Sequence, residues 1–131
     1  MIFVDAGAWF ASAVTADQSH VAAVRWLAQN RVQLLTTDYI IDETLTLLRA
    51  RQQPRPALSL GQHFFDGTLA QVYYLTPDDI QAAWQIFQRY SDKEWSFTDC
   101  TSKVVMDRLG LTTAFTFDHH FRQFGGITVV P

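Results

Sequence analysis

Three carboxylates in this chain stand where a sequence ordinarily keeps charge out, and a fourth opens a helix. Asp5 ends the apolar run Met1-Ile2-Phe3-Val4, and Asp118 ends the run Ala114-Phe115-Thr116-Phe117. Glu43 borders the apolar arc of a helix, and Asp99 falls in the first turn of another, within Trp95-Ser96-Phe97-Thr98-Asp99-Cys100. Gathered in one crevice, four such groups would repel unless some were protonated or a cation neutralised them. Oxygen ligands without thiolate or paired imidazoles suit a hard ion, Mg²⁺ or Mn²⁺. An ion of that kind activates water and draws in phosphate oxygens, so the chemistry that follows is phosphodiester hydrolysis. Ser96 and Thr98 are candidates for a supporting role, orienting water or a phosphate beside the acids.

The elements that must position these groups alternate along the chain. Ile2 to Val4 reads as a buried strand, Ala8 to Val14 as a short helix, and Ser19 to Gln29 as a helix with Ser19 as its cap. Val32 to Leu35 is a second strand. From about Asp38 to Arg51, Ile40, Ile41, Leu45, Leu47 and Leu48 make one apolar arc at about 100° per residue. Glu43 lies beside that arc and Asp42 nearly opposite it, so Glu43 is the acid expected to face inward. Gln52 to Pro56 breaks the helix, and Ala57 to Phe65 forms another.

Val72 to Leu75 reads as a third strand. Thr76-Pro77-Asp78-Asp79 is a helix start, with a hydroxyl cap, a proline and acids in the first turn. Ile80, Ala83, Trp84 and Phe87 form its apolar stripe, expected in the core. The helix Thr98 to Leu109 ends at Gly110, Thr113 to Phe117 is a strand, Asp118 to Phe121 a short helical turn, and Ile127 to Val130 the last strand. Strands alternating with helices predict a parallel sheet covered on both faces. Ligands of such sheets bind beyond the carboxyl ends of the strands, where Asp5 and Asp118 are expected.

Phe-Val-Asp at residue 5, Ile-Asp-Glu-Thr at 41 to 44, Ser-Phe-Thr-Asp at 96 to 99 and Thr-Phe-Asp-His-His-Phe at 116 to 121 together resemble the PIN-domain ribonucleases, especially the VapC-like toxins of toxin–antitoxin pairs. The resemblance runs over essentially the whole chain. It implies a three-layer α/β/α fold with a central, mainly parallel sheet of four to five strands, as one domain over residues 1–131. It also implies Asp5, Glu43, Asp99 and Asp118 as metal ligands for Mg²⁺ or Mn²⁺, Thr98 as a supporting hydroxyl and RNA as substrate. The partners it implies are a VapB-like antitoxin and a second copy in a homodimer. The chain departs at Ala6-Gly7, where many relatives carry a hydroxyl or Asn, which touches one water-positioning contact.

Other residues have a functional and a plain reading. Arg49, with Arg51 and Arg55, forms a basic cluster that either steers RNA or is a solvated face. Lys103 either meets a phosphate or pairs with Asp99, and Trp95 either stacks a base or packs in the core. Phe64 and Phe65 are candidates for an exposed patch that docks a partner. His119 and His120 are read as surface residues, and Cys100 as a small packing residue.

Composition narrows the setting. Of 131 residues 48% are apolar and 18% charged, which supports a packed core and excludes a disordered chain. A net charge of −3 argues against bulk positive attraction to nucleic acid, although bound cations reverse the sign of an acidic pocket. The single cysteine forms no internal disulfide, and the apolar start has no basic leader and carries Asp5. A cytoplasmic protein with no membrane association is therefore expected. The functional expectation is a metal-dependent endoribonuclease; a different metal-dependent phosphodiesterase, a DNA nuclease and a catalytically silent binding module are its alternatives.

Overall fold

A computed structural model describes residues 1–131. Its centre is a five-stranded sheet in the order β3-β2-β1-β4-β5, built from β1 (Ile2–Val4), β2 (Leu34–Thr37), β3 (Gln71–Tyr73), β4 (Thr113–Phe115) and β5 (Thr128–Val130). Every pairing is parallel. Parallel neighbours need crossovers, which the helices supply while covering the sheet. They are α1 (Ala6–Ala13), α2 (His20–Gln29), α3 (Asp38–Ala50), α4 (Pro54–Phe65), α5 (Pro77–Arg89) and α6 (Phe97–Leu109), with a 3-10 helix at His119–Phe124. None is long and apolar enough to cross a membrane.

The central strands carry the core. Phe3, Val4, Ala114 and Phe115 are fully buried, and β1 lies between β2 and β4. Phe115 meets Trp26 of α2 with ring centroids 4.3 Å apart, and Phe3 meets Phe121 of the 3-10 helix at 6.0 Å. Each such ring contributes about 3 to 5 kcal/mol against truncation to alanine.

Several boundaries differ from the sequence expectation, each for a visible reason. The second strand slides two residues on, to Leu34–Thr37, because Thr36 and Thr37 are wholly buried in the ladder and Val32 is exposed. Thr36 can be buried because its hydroxyl accepts from Trp9 Nε1 at 3.3 Å. β3 stops at Tyr73, since the Leu75 amide is taken by Asp38 Oδ1 at 3.0 Å. α4 begins at Pro54, three residues early; both prolines fit its first turn, where amides lack helical partners anyway. α1 begins directly after Asp5, at Ala6. Ser19 precedes α2 without a side-chain cap; its amide donates to Asp17 Oδ2 at 2.9 Å instead.

The apolar stripe of α5 is only partly a core stripe. Ala83 is buried, but Trp84 and Phe87 are 46% and 41% exposed and stack on one another at 6.0 Å. Phe64 and Phe65 do not act as a pair: Phe64 is buried edge-on against Trp9 at 5.1 Å, and only Phe65 is exposed.

Candidate active site

The four acids come from four separate elements. Asp5 leaves the carboxyl end of β1, Glu43 projects from α3, Asp99 from the first turn of α6, and Asp118 from the segment after β4. All four line one crevice of about 320 Å³, with Gly7, Leu47, Glu94, Ser96 and His120 among the other lining residues. Helical spacing distinguishes Glu43 from its neighbour: Glu43 is half-buried there and Asp42 is exposed.

Asp5 is nearly inaccessible, 5% exposed, and it precedes a helix without capping it through its side chain. Its Oδ2 instead accepts from the Thr116 hydroxyl at 3.0 Å, across the β1–β4 pair. Thr116 Oγ1 also accepts from the Asp118 amide at 2.9 Å, so one hydroxyl orients two of the acids. Burial pushes the Asp5 carboxyl up to about 7, with repulsion from Asp99 adding to it and the Thr116 hydroxyl and Ala6 amide pulling it down.

Asp99 is held by a reciprocal capping box. The Ser96 hydroxyl accepts from the Asp99 amide at 3.0 Å, and Asp99 Oδ2 accepts from the Ser96 amide at 3.0 Å. Ser96 thus uses one lone pair of its hydroxyl to position Asp99, and it also lines the crevice. Burial raises the Asp99 carboxyl most; the Ser96 amide lowers it, Asp118 raises it and His120 lowers it. Burial likewise raises Glu43, followed by repulsion from Asp99, Asp118 and Asp42. These mutual repulsions place the acids within one another's field.

His120, expected to be a plain surface residue, belongs to this site. Its Nδ1 lies 3.4 Å from Asp99 Oδ2 and 3.3 Å from Asp118 Oδ1, and is buried without a hydrogen-bond partner. The 3-10 helix puts it there: Asp118 caps that helix by accepting from the His120 amide at 2.9 Å. Thr116 is the second group that sequence reasoning passed over. A hydroxyl two residues before an acid at a strand end was the available signal.

Other expectations are corrected. Thr98 is not among the crevice residues, lying about 100° around α6 from Asp99; its carbonyl accepts from the Thr101 and Ser102 hydroxyls. Lys103 pairs with Asp107 at 3.0 Å, one turn further on, and not with Asp99. Trp95 is 6% exposed, donates to Gln123 Oε1 at 2.7 Å and packs edge-on against Phe124, so it offers no face to a base. Arg49 lines a different groove, with Leu45, Ala57 and Leu58 between α3 and α4.

The donor set fits a hard divalent ion. Three of the acids have raised proton affinities that a cation would reverse, and the oxygens come without a thiolate. Cys100, next to Asp99, is buried, and burial with the Asp99 charge pushes its thiol up to about 11. Asp118, His119 and His120 also bring one potential ligand atom each within 4.8 Å of one another. The exposed His119 makes that trio the less enclosed grouping.

Comparison with known proteins agrees with this architecture. The PIN domain family model matches residues 2–127. The chain is 34% identical to the 23S rRNA-specific endonuclease VapC20 of Mycobacterium tuberculosis, over all of this chain and 99% of that protein. It is 28% identical to a VapC ribonuclease of Archaeoglobus fulgidus, over 90% of this chain and 77% of the relative. The crystal structure of Mycobacterium tuberculosis VapC20, described as a Sarcin-Ricin loop cleaving toxin, superposes with a TM-score of 0.92 at 33% identity over the whole of both chains. FitAcB from Neisseria gonorrhoeae shares the fold, with a TM-score of 0.72 at 14% identity, over all of this chain and 97% of that one. With its parallel sheet, its crevice of acids and these relatives, the chain belongs to the PIN-domain family, among the VapC-like ribonucleases.

Proposed function

We propose that this chain is a divalent-metal-dependent endoribonuclease, the toxin of a VapBC-type pair, and that residues 1–131 form one PIN-like domain. The observation that carries the reading is the convergence of Asp5, Glu43, Asp99 and Asp118 from four elements into one crevice at the carboxyl end of the sheet. These residues would hold Mg²⁺ or Mn²⁺. When bound, the ion makes water a better nucleophile at neutral pH and offsets charge gathering on the phosphate.

The chain's own groups do the rest. Thr116 fixes Asp5 and the backbone before Asp118, and the Ser96 box fixes Asp99. Hydrolysis adds water across a P–O bond, so the attacking water must lose a proton. Glu43, half-buried on the wall of the crevice, is the group we assign to accept it. His120, lodged between Asp99 and Asp118, keeps those two carboxylates in register.

The substrate we assign is a structured loop of ribosomal RNA, as the name of the Mycobacterium tuberculosis relative states for that protein. A VapB-like antitoxin, a homodimer and a cytoplasmic location go with that assignment. The test uses a hairpin RNA reproducing the sarcin–ricin loop of 23S rRNA, with a DNA hairpin of the same sequence beside it. Cleavage of RNA with Mn²⁺ or Mg²⁺, its loss in EDTA and a decrease of at least about a hundredfold in Asp99→Asn at unchanged melting temperature are expected. Undiminished cleavage in EDTA would dismiss the metal enzyme, and equal cutting of DNA would make the chain a general nuclease. Metal-dependent stabilisation without any cleavage would leave a binding module.

A further inference from the structure

The acidic crevice does not end at Asp118. Gly7, Leu47 and Asp118 also line a second groove of about 330 Å³, whose other lining residues include Arg51, Gln18 and Phe117. We infer that this groove binds the nucleotide next to the scissile phosphate, with Phe117 stacking its base and Arg51 holding the adjoining phosphate. The assignment rests on the RNA reading above and adds the residues that seat the strand.

Phe117 is the residue before Asp118 and is 38% exposed. β4 has already ended at Phe115, so Phe117 is free of the ladder. Its one aromatic neighbour is Phe115, with centroids 5.9 Å apart and rings inclined at 68°, and no ring stacks on it. It stands between this groove and a second depression that holds His119 and Arg122. A partly exposed ring beside the reacting site with no other ring stacked on it is suited to a base, whose π-face any aromatic side chain can cover.

Arg51 follows the last turn of α3 and is exposed. Its guanidinium makes no ion pair, although Asp17 lines the same groove. Asp17 Oδ2 is occupied by the Ser19 amide. A planar guanidinium left open presents paired donors to a phosphate. The exposed Gln18 amide beside it offers both a donor and an acceptor to a base edge.

Gly7 is what joins crevice to groove. It belongs to both walls, and a Cβ there would come within 3.9 Å of Asp5 Oδ2. A side chain at Gly7 would stand between the acids and the groove.

The test measures affinity and cleavage separately. Anisotropy of a fluorescein-labelled sarcin–ricin-loop hairpin is read in the Asp99→Asn background, where the RNA is not consumed. Cleavage by the same substitutions is read in the otherwise unaltered chain with Mn²⁺. Phe117→Leu, which keeps contact with Phe115 but has no ring, and Phe117→Ala should each weaken binding about tenfold and raise KM in step, with kcat within about twofold. Phe117→Tyr should restore both. Arg51→Ala should weaken binding similarly and reduce the salt slope by about one, with Arg51→Lys recovering part of the loss. Unchanged affinity in Phe117→Leu and Arg51→Ala, with melting temperatures like the parent's, overturns the groove whether or not the parent cuts RNA. A parent that binds through these residues without cutting overturns the nuclease reading alone, and a parent that neither binds nor cuts overturns both.

Discussion

The Thr116 hydroxyl donates to Asp5 Oδ2 at 3.0 Å across 111 positions of sequence, fastening together the carboxyl ends of β1 and β4. The same oxygen takes the Asp118 amide at 2.9 Å. Thr116→Val keeps the shape and removes both bonds, leaving a buried carboxylate oxygen and a backbone amide unsatisfied. Chemical denaturation should show a loss of about 1 to 3 kcal/mol. RNA cleavage should fall further than that loss of folded protein explains.

Asp5 ties stability to pH. Its carboxyl titrates near 7 when folded, against 3.8 for the ordinary group. Between about pH 4 and 7 the folded protein holds a proton that the unfolded chain has released, so in EDTA stability should fall as pH rises through that window. Below about pH 4 both states are protonated and this slope vanishes. The effect is on the order of a few kcal/mol. Asp5→Asn should flatten the curve in thermal melts, and Mn²⁺ should raise the parent's Tm more at pH 8 than at pH 5. A Tm in EDTA that climbs steadily from pH 4 to 7 would contradict the assignment.

Two helices of this chain begin with the same local motif and use it for opposite ends. In α5, Asp79 answers the Thr76 cap, while Tyr73 donates to its Oδ2 at 2.7 Å and Arg108 Nε lies 2.6 Å from its Oδ1. Burial raises its carboxyl, but the Thr76 amide, the Tyr73 and Thr76 hydroxyls and Arg108 together hold it below the ordinary value. Asp99 has the matching box in α6, but acids for neighbours and a raised carboxyl. Asp79→Asn should therefore cost about 1 to 3 kcal/mol in a denaturant melt, with kcat/KM per folded molecule unchanged. Asp99→Asn should do the reverse.

Trp95 marks the difference between proximity and participation. Trp95→Phe removes the bond to Gln123 and some packing against Tyr90 and Phe124. It should cost roughly 1 kcal/mol of stability and leave KM for RNA unaltered in steady-state cleavage.

Much of this arrangement was legible in the sequence because period and punctuation carry it. The alternation of strands and helices gave the parallel sheet, and rotation along α3 separated half-buried Glu43 from exposed Asp42. Asp5 could be placed at a strand end because it closes an apolar run, whereas the run before Asp118 outlasts its strand, which stops at Phe115. What was not legible depends on partners distant in sequence. His120 sits on a 3-10 helix too short for any apolar rhythm to show its inner side. The β2 shift turns on whether Thr36 finds a donor, and Trp9 is 27 positions away. Trp84 and Phe87 follow the same rhythm as buried residues, and spacing alone does not say what, if anything, covers a stripe.

Strand order has a consequence for when the site can come together. β1 precedes the other four strands in the chain yet becomes the middle of the finished sheet, and its neighbour β4 is the fourth in chain order. A nascent chain that has emerged only through α6 already carries Asp5, Glu43 and Asp99, yet lacks Thr116 and Asp118. The acidic crevice is therefore assembled only when β4 docks beside β1, which brings Thr116 to Asp5 and adds the fourth acid.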